Sequence, residues 1–325
     1  MENKLYKFSA SPHVKKPRTT RFIMANVCLA LLPACIMGII YFGWMALLIV
    51  SLAVVSAVLS EAVYLLIVGK KPKEIINQFD FTSCVTGLLI GMTLGVNYPW
   101  YAPVLGSAFA IIVVKMLFGG TGKNIVNPAI VGRIFIFISF QSVVTAWIIP
   151  GGTPVTGATT LAGMLENGTA PTLSVWDMLL GTNLSGCIGE TCKVALIAGA
   201  IYLAIMRIID IRYPLIYIGV TGLFQVALCG FDFSLFLPSI LTGGLIIGAF
   251  FMATDYVTTP NTKIGNYLYF VLLGLLTAGL RVATKMEVVS FAILLMNLLV
   301  PLIDKFIVNR PFGYRKVKKQ KEDVK

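Results

Sequence analysis

The sequence predicts an all-α polytopic membrane protein of about ten transmembrane helices, and three observations predict it. The chain is 57% hydrophobic and only 12% charged over 325 residues, against roughly 25% charge in a soluble domain. Its apolar residues fall in runs close to the roughly 20 residues that a helix needs to cross a bilayer. Its basic residues are distributed with a strong bias between alternate connecting loops.

Ten runs read as spans: 22–42, 45–68, 83–97, 101–118, 130–149, 193–209, 213–229, 235–253, 264–280 and 288–308. The polar, basic residues 1–21 precede the first, which is long enough to span rather than to be a cleaved leader. The third and fourth flank the tight turn Asn97-Tyr98-Pro99-Trp100, with aromatics suited to the interface. Three regions follow: a basic segment 1–21, a membrane domain 22–308 with one long loop at about 150–192, and a basic tail 309–325.

By this assignment 23 of the 26 Lys and Arg fall on one side. They include Lys70, Lys71, Lys73, Lys115, Lys123 and Arg133; only Lys193, Arg281 and Lys285 fall on the other. The positive-inside rule then places both termini in the cytoplasm and the 150–192 loop outside. The net charge of +12 follows from the same bias. It lies in short juxtamembrane segments and a tail, which fits contact with anionic lipid and not nucleic acid.

Two segments echo each other. Phe79-Asp80-Phe81 precedes Thr86-Gly87-Leu88-Leu89-Ile90-Gly91, and Phe231-Asp232-Phe233 precedes Thr242-Gly243-Gly244-Leu245-Ile246-Ile247-Gly248. One leads into the third span, running outward, and the other into the eighth, running inward. A five-plus-five inverted repeat produces this relation and places a site between its halves.

Four regions carry candidate chemistry. The run 118–133 (FGGTGKNIVNPAIVGR) is Gly-rich, so its backbone can approach a ligand closely, and its Asn124 and Asn127 offer amide donors and acceptors. It is not a phosphate-binding P-loop, because the spacing differs and no Ser or Thr follows Lys123. The alternative for this run is a re-entrant turn with capped helix ends. Asp255 stands among hydroxyls at the end of the eighth span, as an oxygen-ligand cation site requires, and Asp304 lies near the end of the last span beside Lys305. Glu61 lies deeper in the second span, where a charge is costly and usually has a task. In the outer loop, Thr156-Gly157-Ala158-Thr159 leaves an uncrowded threonine hydroxyl open to modification.

Six cysteines give no metal pattern, and the single histidine, His13, excludes bis-histidine haem ligation within the chain. Cys187 and Cys192 share the outer loop and read as small loop residues rather than a disulfide. With no haem-ligating pair and no ferredoxin-type cysteine run, any redox group in this chain is organic or shared with a partner.

The segments TGLLIGMTLG (86–95), FGGTGKNIVNPAIVGR (118–133), TGATTLAGML (156–165), GETCKVALIAGAIYL (189–203), GAFFMATDYVTTP (248–260) and NLLVPLID (297–304), in this order, resemble one family. It comprises RnfD of the Rnf complex, the ion-pumping ferredoxin:NAD oxidoreductase, and NqrB of the sodium-pumping NADH:quinone reductase. The likeness runs from about Ser11 to Tyr314, and the shorter chain favours the Rnf side.

The resemblance implies a ten-helix membrane component, distantly like urea transporters, in a bacterial inner membrane. It implies FMN joined through its phosphate to the last Thr of the Ser/Thr-Gly-Ala-Thr motif, here Thr159, by a flavin transferase that uses FAD and a divalent cation. The family's Asp six residues before that Thr is Thr153 here. A second, noncovalent riboflavin at Asn124 and Asn127 is implied by the NqrB side of the family. Implied partners are the other Rnf proteins: the flavoprotein RnfG, the membrane proteins RnfA and RnfE, and the Fe–S proteins RnfB and RnfC. The implied function is electron relay from ferredoxin toward NAD coupled to Na+ or H+ movement, with Asp255 and Asp304 as ion-path candidates. The rival reading is a secondary transporter or channel with no redox role, which covalent flavin would exclude.

Overall fold

The computed structural model describes residues 19–141, 146–148, 154–156, 160–167, 171, 173–182 and 184–308. Thr19 starts the first helix, α1 (Thr20–Phe42), by accepting the Phe22 N–H on its hydroxyl at 3.2 Å. Gly43, at φ +69°, turns the chain directly into α2 (Trp44–Ile67). These two helices, α13 (Lys263–Thr284) and α14 (Val289–Phe306) are long and apolar enough to cross a membrane.

Two further candidates are bent pairs. In the first, α3 (Pro72–Gln78) and α4 (Thr82–Met92) meet at 70°; in the second, α11 (Phe233–Leu241) and α12 (Leu245–Met252) meet at 66°. Shorter apolar helices are α5 (Tyr101–Met116), α6 (Pro128–Ser139) and α9 (Lys193–Ile205). A 17-residue helix, α10 (Arg212–Leu228), precedes the second bent pair. Between α6 and α9 lie α7 (Thr160–Asn167), α8 (Val175–Leu180) and a two-stranded antiparallel ribbon of β1 (Ala146–Ile148) with β2 (Pro154–Thr156). Apart from that ribbon, the regular elements among the described residues are helical.

The order of elements is repeated. Two helices, a bent pair and two helices occur in 20–139 and again in 193–306. So do the contacts. The second helix of each set packs on the fourth, α2 on α5 and α10 on α13; the fourth packs on the fifth, α5 on α6 and α13 on α14. Between the sets, α1 packs on α9 and α6 on α14. Both Phe-Asp-Phe segments make the same local turn, the first at the break between α3 and α4 and the second before α11. Asp80 accepts the Thr82 N–H at 3.0 Å, and Asp232 accepts the Ser234 N–H at 2.9 Å.

Small residues set the helix spacing. A Cβ on Gly87 would lie 2.6 Å from Val54 Cα, and one on Gly91 would lie 2.9 Å from Val50 Cα, so α4 meets the backbone of α2 directly.

Several expectations change. The run 83–97 is helical only to Met92, and in 130–149 the helix that begins at Pro128 ends at Ser139. The run 235–253 is not one helix, because Thr242–Gly244 interrupts it and Gly243 adopts φ +71°. Lys115, Lys193 and Arg281 are not interfacial loop charges: all three are buried. Glu61 pairs with Lys115 at 2.8 Å. Asp304 does not pair with Lys305; its carboxylate accepts the Asn261 N–H at 3.0 Å and the Asn261 side-chain N–H at 2.8 Å.

Candidate functional site

One end of the helix assembly carries an open-mouthed cavity of about 810 Å³, with the solvent in its mouth included. It gathers residues from both sets of helices. Met24 and Val27 come from α1, Thr82, Val85, Thr86 and Leu89 from α4, and Lys115 from α5. The Gly-rich loop supplies Thr121, Gly122, Asn124 and Asn127, and the far set supplies Leu203, Ile208, Phe250, Phe251, Thr254, Asp255 and Tyr256. Most of the wall is aliphatic or aromatic, with a few convergent polar groups. Such a wall fits a flat, mainly apolar ring system with polar edges.

The loop between α5 and α6 folds as its glycines allow. Gly119, Gly120 and Gly122 take φ of +107°, +90° and +87°. Asn127 caps α6 through the Ala129 N–H at 3.0 Å, and its side-chain N–H donates to the Met252 carbonyl at 3.1 Å. It thus ties the loop to the end of α12. Asn124 donates to the Val126 carbonyl at 3.0 Å. The capped-turn reading of 118–133 is therefore correct as local structure, and the loop is also a cavity wall.

Asp255 follows α12. Its carboxylate accepts weakly from the Val257 N–H and the Thr258 hydroxyl, both at 3.4 Å. Burial raises its pKa above the ordinary carboxylate range, and these two bonds lower it in part. Tyr256 donates its hydroxyl to the Ile208 carbonyl. Tyr256 and Ile208 also line a second cavity, whose wall includes Asp210, Tyr213, Asn266 and Phe270.

A buried ion pair stands at the cavity edge. Lys115 donates to Glu61 Oε1 at 2.8 Å, Thr82 Oγ1 at 2.6 Å and Ser83 Oγ at 3.2 Å. Thr82 in turn donates to Asp80 at 2.5 Å, and Ser83 donates to Glu61. Thr121 closes the set by donating to Asp80 at 2.9 Å. Sequence reasoning singled out neither Lys115 nor Thr82 as a site residue. The deep Glu61, which needs a partner, was the available signal.

A second charged cluster surrounds the break at Gly243. Arg281 donates to both Glu287 oxygens, at 2.9 and 3.2 Å, and to the Ser239 carbonyl at 2.9 Å. Lys193 donates to the Glu190 carbonyl and, at 3.0 Å, to the Gly243 carbonyl. Glu190 accepts the Cys187 N–H at 2.8 Å, and Cys187 and Cys192 are both free and buried. Asp304, bonded to Asn261, is not in the cavity wall with Asp255.

Of the threonine motif, Thr156 ends β2, opposite Ala146. Gly157, Ala158 and Thr159 lie outside the described residues, as do Thr153 and His13. Helix α7 begins at Thr160. Its Leu161 and Met164 are buried against Val226 of α10 and Leu235 of α11. The residue after Thr159 is thus the start of a helix packed against α10 and α11. Among the described residues, no group of three or more His, Cys, Asp or Glu could hold a metal ion.

The sequence model described as the NQR2, RnfD, RnfE family matches residues 7–313. The chain is 40% identical over 315 residues to the D component of the Na+-translocating ferredoxin:NAD+ oxidoreductase complex of Acetobacterium woodii, covering 96% of each chain. It is 36% identical to the D component of the proton-translocating ferredoxin:NAD+ oxidoreductase complex of Clostridium ljungdahlii, covering 97% of this chain and 98% of the relative. It is 33% identical to the D component of the ion-translocating oxidoreductase complex of Stutzerimonas stutzeri, covering 90% and 91%.

Proposed function

The chain belongs to the NQR2, RnfD, RnfE family, and from that premise we propose that it is the flavin-carrying membrane component of an ion-translocating ferredoxin:NAD oxidoreductase. FMN is esterified to Thr159 in the outer loop. The observation that carries this reading is the intact Thr156–Thr159 motif directly before α7. The first turn of a helix has unpaired N–H groups and the positive end of the helix dipole, which favour a phosphate there. In the attachment step the Thr159 hydroxyl oxygen bonds to the FMN phosphorus of FAD, the pyrophosphate bond breaks, and AMP leaves. A flavin transferase with a divalent cation performs it. The flavin supplies one- and two-electron chemistry that no side chain here offers.

The cavity at the other end takes a second, noncovalent flavin, riboflavin in the related NqrB. Asn127, Thr86 and Asn124 stand at its polar edge, and Phe250, Phe251 and Leu89 form its apolar wall. Ten spans arranged as a five-plus-five inverted repeat are supported by the repeated element order and contacts. Burial of Lys193 and Arg281 leaves Lys285 as the exposed base assigned to the outer side, which strengthens the cytoplasmic placement of both termini and of the cavity in a bacterial inner membrane. Fe–S and NAD steps belong to partners: RnfB, RnfC and RnfG carry redox groups, and RnfA and RnfE lie in the membrane. Asp255 and Asp304 remain the ion-path candidates. The two relatives named for different ions leave Na+ and H+ as the alternatives, and cation dependence of transport separates them.

The test uses the assembled complex in membrane vesicles. Ferredoxin-dependent NAD reduction is expected to be lost in Thr159→Val and kept in Thr160→Val. Equal activity in both would reject the relay role and favour a scaffold.

A further inference from the structure

Lys115 has no evident reason to be where it is if stability alone is considered. It is 3% exposed, and a buried ion pair is often no more stable than an apolar pair of similar volume. Its placement is specific in another way. Lys115 and Asp255 are the two charged side chains in the cavity wall, and Glu61 is not in that wall. The pair therefore presents its positive end to the cavity and keeps its negative end off it.

The ammonium is also immobile. All three of its protons are committed, to Glu61, Thr82 and Ser83. Thr82 and Ser83 each donate onward, to Asp80 and Glu61, so each presents a lone pair to Lys115. Held this way, Lys115 has no proton left for a ligand and acts on one through its field. In a poorly solvated wall that field is weakly screened. A charge near the ring is a recognised means by which a protein tunes a flavin.

We infer that the Lys115–Glu61 pair is a fixed dipole that sets the reduction potential of a flavin in this cavity, with Lys115 as the counter-charge for the electron the ring gains. This rests on the cavity being a flavin site. Lys115 is a positioning residue in this account: it would lower the energy of negative charge on a ring held in this cavity. Glu61 moderates the effect by offsetting part of the Lys115 charge.

The two members of the pair therefore act with opposite sign. Removing both charges removes the favourable field. Removing Glu61 alone leaves Lys115 less offset and strengthens it. A role in folding alone gives no such opposition.

The experiment uses the full chain purified in detergent in a Thr159→Val background, so that any bound flavin is the noncovalent one. Electrons come from dithionite in a spectroscopic redox titration. In Lys115→Met/Glu61→Gln, which buries no unpaired charge, the one-electron equilibrium is expected to shift at least tenfold against reduction, a fall of about 59 mV. In Glu61→Gln it is expected to shift toward reduction. Unchanged potentials, or shifts in the same direction in both variants, would overturn the inference while leaving the flavin site intact. Absence of flavin from the Thr159→Val chain with Lys115 and Glu61 present would overturn the site itself.

Discussion

Replacing Arg281 by Met tests the break in the second bent pair. The guanidinium is fully buried. It makes two bonds to Glu287, at 2.9 and 3.2 Å, and one to the Ser239 carbonyl at 2.9 Å. Ser239 belongs to α11, so one side chain of α13 holds the helix that ends at the break. Methionine keeps most of the volume but strands the Glu287 carboxylate, whose side chain is 11% exposed. Stranding one partner of a buried pair costs about 3–5 kcal/mol. In Arg281→Met/Glu287→Gln no charge is stranded, and the residual loss is the unpaired Ser239 carbonyl, about 1–3 kcal/mol. The double variant should therefore be more stable than the single one by about 2 kcal/mol. Thermal unfolding in detergent, followed by intrinsic fluorescence at one fixed scan rate, should rank native above double above single. A single variant that melts with the native chain, or below which the double variant falls further, would refute the buried-pair reasoning.

Gly87→Leu should force α4 away from α2, because the added Cβ would lie 2.6 Å from Val54 Cα. A loss of about 1–3 kcal/mol and reduced noncovalent flavin content are expected, with Gly219→Ala, which meets no atom within 4 Å, unchanged in both. Asp304→Asn should weaken the cation dependence of transport with flavin content kept; unchanged cation dependence removes Asp304 from the ion path. Asp255 has a raised folded pKa, so its protonated form is favoured on folding and its carboxylate opposes folding. The native chain should lose stability as pH rises through that folded pKa, and Asp255→Asn should not show this component. Parallel pH–stability curves for the two would contradict it.

The helices were legible because a bilayer demands long apolar runs: nine of the ten runs contain one main helix each, and four of those helices are long and apolar enough to cross a membrane unaided. The exception, 235–253, shows the limit. A break inside an apolar run leaves hydropathy unchanged, and only Gly243-Gly244 hinted at it. Buried charge was illegible for a related reason. Lys115, Lys193 and Arg281 look like any juxtamembrane base in sequence, and their partners Glu61, the Gly243 carbonyl and Glu287 are brought near by packing. Asn124, Asn127 and Asp255 were each visible as polar groups in Gly- or Thr-rich surroundings. That all three share one cavity, with Lys115 at its edge, depends on the contact between the Gly-rich loop and the end of α12. Asn127 makes that contact through the Met252 carbonyl. Asp304 looked equivalent to Asp255 in sequence, yet it serves the Asn261 turn.

The central claim is the flavin on Thr159, and in-gel fluorescence after denaturing electrophoresis tests it most directly. The chain is coexpressed with a flavin transferase shown to be active on another target, beside Thr159→Val and Thr160→Val. The account predicts a fluorescent band in the native chain and in Thr160→Val, and none in Thr159→Val. A dark native band would contradict it, identify Thr153 as a disabling departure from the family pattern, and favour a membrane component without covalent flavin.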